Sequence, residues 1–262
     1  MTMPNSVHLR YYDVDSWHEF KTLAWELFEG VRLGDGAMWF RGQGDVMWPL
    51  ESSFDRSVKD RLDSERRSRV LQHLETGLAE RLGLLDDWGE SYRFDDMDPS
   101  QLMAIAQHHG CLTRLLDWTL SPYIAAFFAF SDLTFLLDDE GDDGQSRCAV
   151  WAIDTNASCW AHQPGVSLLS LQRVGNRRLQ RQQGVFTLNT SEFASLETFC
   201  SHYYTTWPAQ ADALVRISLP RHIARTAVKD LELMGISSES MFPGVEGASR
   251  YALVQAILGV TG

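Results

Sequence analysis

Apolar and polar positions along the chain alternate between helical and strand periods, which predicts a mixed α and β fold. Trp17 to Phe28 repeats its apolar residues at helical spacing behind Asp15-Ser16 and stops at Gly30, so it reads as a capped helix. Ala37 to Gly42 alternates around Met38, Trp39 and Phe40 and predicts a short strand, broken by Gly42 and Gly44. Asp55 to about Leu85 is helical and strongly charged, as one helix or two, and Asp86 to Asp98 has no period and reads as loop. Asp98-Pro99 and Ser121-Pro122 each place a capping side chain before a proline, opening two more helices. The body of the second, Tyr123 to Phe130, is almost wholly apolar and predicts a buried central helix. Cys148 to Ile153, Val185 to Leu188 and Ala213 to Leu219 read as buried strands. Arg221 to Met234 reads as a helix, Met241 to Gly244 as a turn, and Val245 to about Leu258 as a closing helix. The expected architecture is one α+β domain over residues 1–262, with a mixed or antiparallel central sheet of short strands flanked by helices. Residues 1–30 read as an N-terminal helical extension.

Composition narrows the function classes. At 262 residues and 44% hydrophobic, the chain has ample material for a core without disulfides or metals. Cys111, Cys148, Cys159 and Cys200 are widely spaced and predict reduced, mostly buried thiols; no Cys or His spacing suggests a metal site. No apolar run is long enough to span a membrane, and Met1 to Tyr12 lacks the pattern of a signal peptide, so a cytoplasmic location is expected. The formal net charge of −12 argues against broad binding to a nucleic-acid backbone. Two local basic clusters stand out, Arg66-Arg67-Ser68-Arg69 and Arg173 to Arg181. The first reads as a solvated helix face.

Four segments carry polar residues that a core or a turn alone does not need. In Phe40-Arg41-Gly42-Gln43-Gly44, a planar guanidinium at a strand end suits a phosphate or a carboxylate, and the glycines leave room for a ligand. A buried arginine paired with an acid elsewhere explains the same residues. Gln107 to Thr119 packs His108, His109, Thr113, Arg114, Asp117, Trp118 and Thr119 between two apolar helices. The two histidines are neighbours, so one faces a cleft and the other the surface. Asp117 can pair with Arg114 or with Arg41, and a polar network tying the helices together is an equally good reading for Asp117 and Thr119. Asn176 to Phe186 runs basic and amide side chains into Gly184, with Gln183 singled out. Met241 to Gly247 places Glu246 at a helix start, where the dipole favours its charge.

Together these segments resemble the FRG-domain family, named for the triplet present here as Phe40-Arg41-Gly42. The resemblance extends to the run at 107–119, to Ser121-Pro122 with Ala125, Phe128 and Ala129, to Gln183-Gly184-Val185-Phe186, and to Gly235-Ile236 with Phe242-Pro243. The family belongs to bacteria and their viruses, and its pattern is similar to that of ADP-ribosyltransferases. The resemblance implies NAD as substrate, no metal, and a role as a toxin or an antiviral effector. It implies that Arg41 holds the pyrophosphate, that His108 or Thr113 contacts the ribose, and that Glu246 is the late acid. Gln43, Arg114, Asp117, Trp118, Thr119 and Gln183 complete the expected binding residues. Glu246 follows a turn, where the transferase acid follows a strand, and the Glu-x-Glu pair of arginine-specific transferases is absent.

Two other functions compete. One is a metal-independent nuclease or phosphodiesterase, with His108 as general base and Arg41 and Arg114 on the phosphate. The other is a non-enzymatic sensor that binds a nucleotide or a protein partner in the same cleft.

Overall fold

The computed structural model describes residues 9–32, 38–82, 97–137, 146–171, 177–206 and 213–260. It contains a seven-stranded sheet: β1 (Leu9–Asp13), β2 (Met38–Gln43), β3 (Leu115–Thr119), β4 (Arg147–Asp154), β5 (Val166–Leu169), β6 (Gly184–Asn189) and β7 (Leu214–Pro220). The spatial order is β1-β7-β4-β2-β3-β6-β5, with β1 parallel to β7 and every other pair antiparallel. The α+β class and the mixed sheet of the sequence reading are therefore present.

The helices are α1 (Trp17–Arg32), α2 (Ser53–Val58), α3 (Ser64–Leu82), α4 (Pro99–His108), α5 (Pro122–Ala129), α6 (Arg177–Arg181), α7 (Leu196–Thr206), α8 (Ala224–Leu233), α9 (Ser238–Met241) and α10 (Val245–Val260). The centre of the sheet is apolar on both faces. On β4, Cys148, Val150 and Ala152 face the cluster that holds Phe20, Phe40 and Ala125. Ala149, Trp151 and Ile153 face the cluster of Trp39, Leu116 and Phe199. A strand covered on both sides shows this continuous apolar run. α5 lies directly on β2. A side chain on Gly42 would put its Cβ 1.9 Å from the Ala125 carbonyl oxygen and 2.5 Å from the Ala129 nitrogen. The glycine of the Phe-Arg-Gly triplet thus serves helix-on-strand packing, a different role from the ligand approach expected of it.

Several local expectations are corrected. β1 makes residues 9–13 an edge strand, so the N-terminal region belongs to the sheet and is not only a helical extension. α1 continues to Arg32, past Gly30. Leu115–Thr119, in the segment read as lying between two helices, forms a strand. A short helix, Ser238–Met241, leads into the turn expected at Met241 to Gly244, which occupies 242–244. The charged stretch divides into α2 and α3. Its Arg67 is buried against Asp55 instead of joining a solvated face, while Arg66 and Arg69 pair with Asp63 and Glu65 along the helix. The loop reading at 86–96 lies outside the described residues. All four cysteines are free. Among the described residues, no helix is long and apolar enough to cross a membrane.

Candidate functional site

β2 and β3 are neighbours at the centre of the sheet, yet they pair only at Phe40 and Thr119. Beyond that pair β2 continues with β4, while β3 continues with β6. A cavity of about 1260 Å³ opens where the two strands part, lined by residues 40–43 of β2 with Gly44 after it and by 117–119 of β3. α4, α6 and the segment after α5 complete its walls. A cavity of this size accommodates a ligand larger than a mononucleotide.

Arg41 bridges the gap. Its Nη1 donates to the Asp117 carbonyl oxygen at 2.7 Å and lies 4.0 Å from the Asp117 carboxylate. Its Nε is buried and has no hydrogen-bond partner among the described residues, an arrangement that costs stability. Burial lowers the guanidinium below its ordinary pKa; Asp117 opposes this shift and Arg56 adds to it. A guanidinium remains protonated under such a shift. The Asp117 carboxylate accepts two hydrogen bonds from the Gln107 side-chain amide, at 2.8 and 2.9 Å. The Gln107 oxygen in turn accepts from the Thr113 hydroxyl. The Asp98 capping box starts α4 so that Gln107 and His108 arrive on its last turn, beside β3.

His108 lines the cavity; His109, the C-cap of α4, does not. Burial is the main cause that depresses the His108 pKa, reinforced by Arg178 and His109 and opposed by Glu246 and Asp117. The ring is therefore neutral at pH 7 and able to accept a proton. The lining also holds four arginines, Arg41, Arg56, Arg178 and Arg221, so a locally basic cleft sits in an acidic protein. Phe40, Trp48, Phe128, Phe135 and Phe186 supply apolar wall beside these charges.

Of the residues singled out in the sequence, Arg41, Gln43, His108, Asp117, Trp118 and Thr119 line this one cavity. Three of them are committed to the scaffold. The Gln43 amide donates to the Pro49 carbonyl oxygen at 3.2 Å and accepts from Trp151 Nε1 at 2.8 Å. Trp118 Nε1 donates to the Thr187 hydroxyl at 3.0 Å, and Thr119 Oγ1 accepts from the Ser121 backbone at 3.2 Å. Thr113, Arg114, Gln183 and Glu246 are not among the lining residues. Thr113 is fully buried behind Gln107. Arg114 is spent on a buried cluster: its Nε lies 2.8 Å from Asp55, and its other nitrogens donate to the Ser191 and Phe193 carbonyl oxygens at 2.8 and 2.7 Å. Asp55 also meets Arg67 at 3.5 Å and Ser52 at 2.7 Å. Arg114 therefore pairs with Asp55, leaving Asp117 to Arg41. Gln183 is exposed at a turn with φ of 48°.

Glu246 is half exposed and pairs with Arg250 at 3.0 Å and Arg178 at 3.8 Å. The guanidinium groups of Arg178 and Arg250 cover Phe242 at 4.5 and 4.8 Å. Glu246 thus adjoins the cleft through Arg178, which lines it. Gln107, Arg56 and Arg221 were not singled out in the sequence. Gln107 stands in the central run and was readable there, whereas Arg56 and Arg221 carry no local signal. Among the described residues, no group of three or more His, Cys, Asp or Glu side chains is placed to hold a metal ion.

Comparison with curated proteins and with solved structures finds no match. Comparison with family models does: residues 36–134 match the FRG domain. The matched stretch begins just before β2 and ends after α5, so it contains Arg41, Gln107, His108 and Asp117 but neither Gln183 nor Glu246. Residues 36–134 are thus similar to the FRG domain, and that stretch supplies Arg41, His108 and Asp117 to the central cleft.

Proposed function

We propose that the cleft binds NAD and cleaves its nicotinamide–ribose bond, passing ADP-ribose to water or to a macromolecular acceptor. The observation that carries this reading is the constellation of Arg41, Asp117 and Gln107, with neutral His108, inside one large cavity lined by arginines and aromatic rings. Guanidinium groups suit a pyrophosphate, and aromatic walls suit the two rings of a dinucleotide. Breaking the glycosidic bond sends its electron pair to nicotinamide and leaves positive charge on the ribose. Asp117, held by Gln107 beside Arg41, is the carboxylate that would stabilise that charge. When water is the acceptor one proton is released, and His108 is the neutral base placed to take it. Thus the acid moves from Glu246, as the sequence suggested, to Asp117. Activity of this kind in a cell would suit a toxin or an antiviral effector.

The experiment is incubation of purified protein with NAD, with and without cell lysate, following nicotinamide release and transfer of labelled ADP-ribose to lysate components. Release without labelling means hydrolysis, and labelling means transfer. A second reading, metal-independent phosphodiester cleavage, draws on the same neutral His108 beside the arginines. Cutting of RNA or DNA in the absence of NAD would favour it over the first.

A further inference from the structure

The loop that follows β2 presents an indole to solvent from a backbone tied on both sides. Trp48 is 57% exposed and lines the cleft. Its backbone nitrogen donates to the Asp45 carbonyl oxygen at 3.2 Å, and the Met47 nitrogen donates to the Asp45 carboxylate at 2.8 Å. Arg221 grips the start of the loop, its Nη2 donating to the Gly44 carbonyl oxygen at 2.7 Å and to Asp45 at 3.2 Å. Past the indole, Gln43 binds the Pro49 carbonyl oxygen, and the Leu50 nitrogen donates to half-buried Glu197 at 2.9 Å. A large apolar ring exposed to this degree, on a backbone tied at both sides, contributes little to the core.

Phe135 stands close by. An atom at the Cβ position of Gly44 would lie 3.8 Å from Phe135 Cζ and 3.9 Å from Trp48 Cζ3, so the two rings flank this glycine. The Arg221 guanidinium lies over the Phe135 ring at 4.5 Å, and all four residues line the same cavity. We infer that Trp48, Phe135 and Arg221 form a subsite for a planar heteroaromatic base at the Gly44 end of the cleft. The Arg41–Asp117 end is left for the ribose and phosphates. The assignment deepens the proposed function and rests on it for the identity of the base, which in NAD is adenine or nicotinamide. Stacking on an aromatic ring is tolerant of base identity and is lost when the ring is removed.

Calorimetric titration tests this with AMP, nicotinamide mononucleotide and ribose 5-phosphate against the wild type, Trp48→Ala and Trp48→Phe. The exposure of Trp48 makes both variants foldable, which a thermal melt checks. Trp48→Ala is expected to weaken one of the two base-bearing ligands by about 5- to 150-fold, Trp48→Phe by less, and ribose 5-phosphate not at all. Which of the two ligands responds identifies the base. Equal weakening of all three ligands, no change in any, or no binding of either base-bearing ligand by the wild type overturns the subsite. Nicotinamide release with an unchanged KM in Trp48→Ala overturns the subsite and leaves the NAD reading standing. Trp48-dependent binding without any NAD cleavage does the reverse.

Discussion

The side-chain amide of Gln107 donates to both carboxylate oxygens of Asp117, at 2.8 and 2.9 Å, from the last turn of α4 to the middle of β3. This contact fixes the acid of the cleft beside Arg41. Gln107→Glu sets a second carboxylate against the first and removes both donors. NAD affinity, measured by titration, is expected to fall about 10-fold or more, in line with the cost of like charges in a binding site, while the melting temperature changes little. An unchanged affinity would mean that Asp117 needs no such support.

Arg114 and Asp55 anchor the scaffold. Removing one partner of a buried ion pair leaves the other charge uncompensated, which costs about 3–5 kcal/mol. Asp55→Ala strands both Arg114 and Arg67, so urea unfolding should show a loss of that size. Arg114→Lys should also destabilise, because one ammonium cannot replace three directed guanidinium contacts.

The two glycines after Arg41 should behave differently. Gly42→Ala drives a methyl into backbone atoms of α5, and overpacking against backbone is expected to cost more than about 3 kcal/mol or prevent folding. Gly44→Ala meets Phe135, Trp48 and the Ala129 carbonyl oxygen no closer than 3.8 Å, ordinary contact distance, and should fold normally. Parallel denaturation curves check both.

His108 supplies a pH dependence. Its folded pKa is depressed by burial first, so the unfolded chain binds its proton more readily than the folded chain. Stability contributed through His108 is therefore lost as pH falls below the ordinary value of 6.5 and is unaffected above it. An NMR titration should place the ring below that value. Arg178→Ala should raise it, because Arg178 lowers it now, and Glu246→Gln should lower it further. Shifts of the opposite sign would refute the coupling across the cleft entrance.

Much of the fold is readable where local chemistry decides it. The Asp98-Pro99 and Ser121-Pro122 caps mark α4 and α5, and the apolar runs mark β4, β6 and β7. The strands not foreseen are β1, β3 and β5, each four or five residues long. Such short strands owe their form to partners distant in sequence, as Leu9 does to Leu214. The candidate site divides in the same way. Arg41, His108 and Asp117 stand in distinctive runs, and the cleft collects them. Arg221 approaches from the end of β7 and Arg56 from α2, and only the folded chain brings them there. Arg114 sits in the same run as Asp117, yet the pleat of β3 and the position of α2 turn it to Asp55. Residue type alone does not separate a ligand-binding arginine from a buried structural one.

The measurement that bears most directly on the cleft as an NAD site is nicotinamide release by the wild type, Arg41→Ala, Asp117→Asn and Glu246→Gln, each shown by melting to be folded. The predicted result is release by the wild type, loss of about 100-fold or more in Arg41→Ala and Asp117→Asn, as for removal of a transition-state contact, and a smaller loss in Glu246→Gln. No release by the wild type, or release that survives Arg41→Ala and Asp117→Asn but disappears in Glu246→Gln, would contradict the assignment.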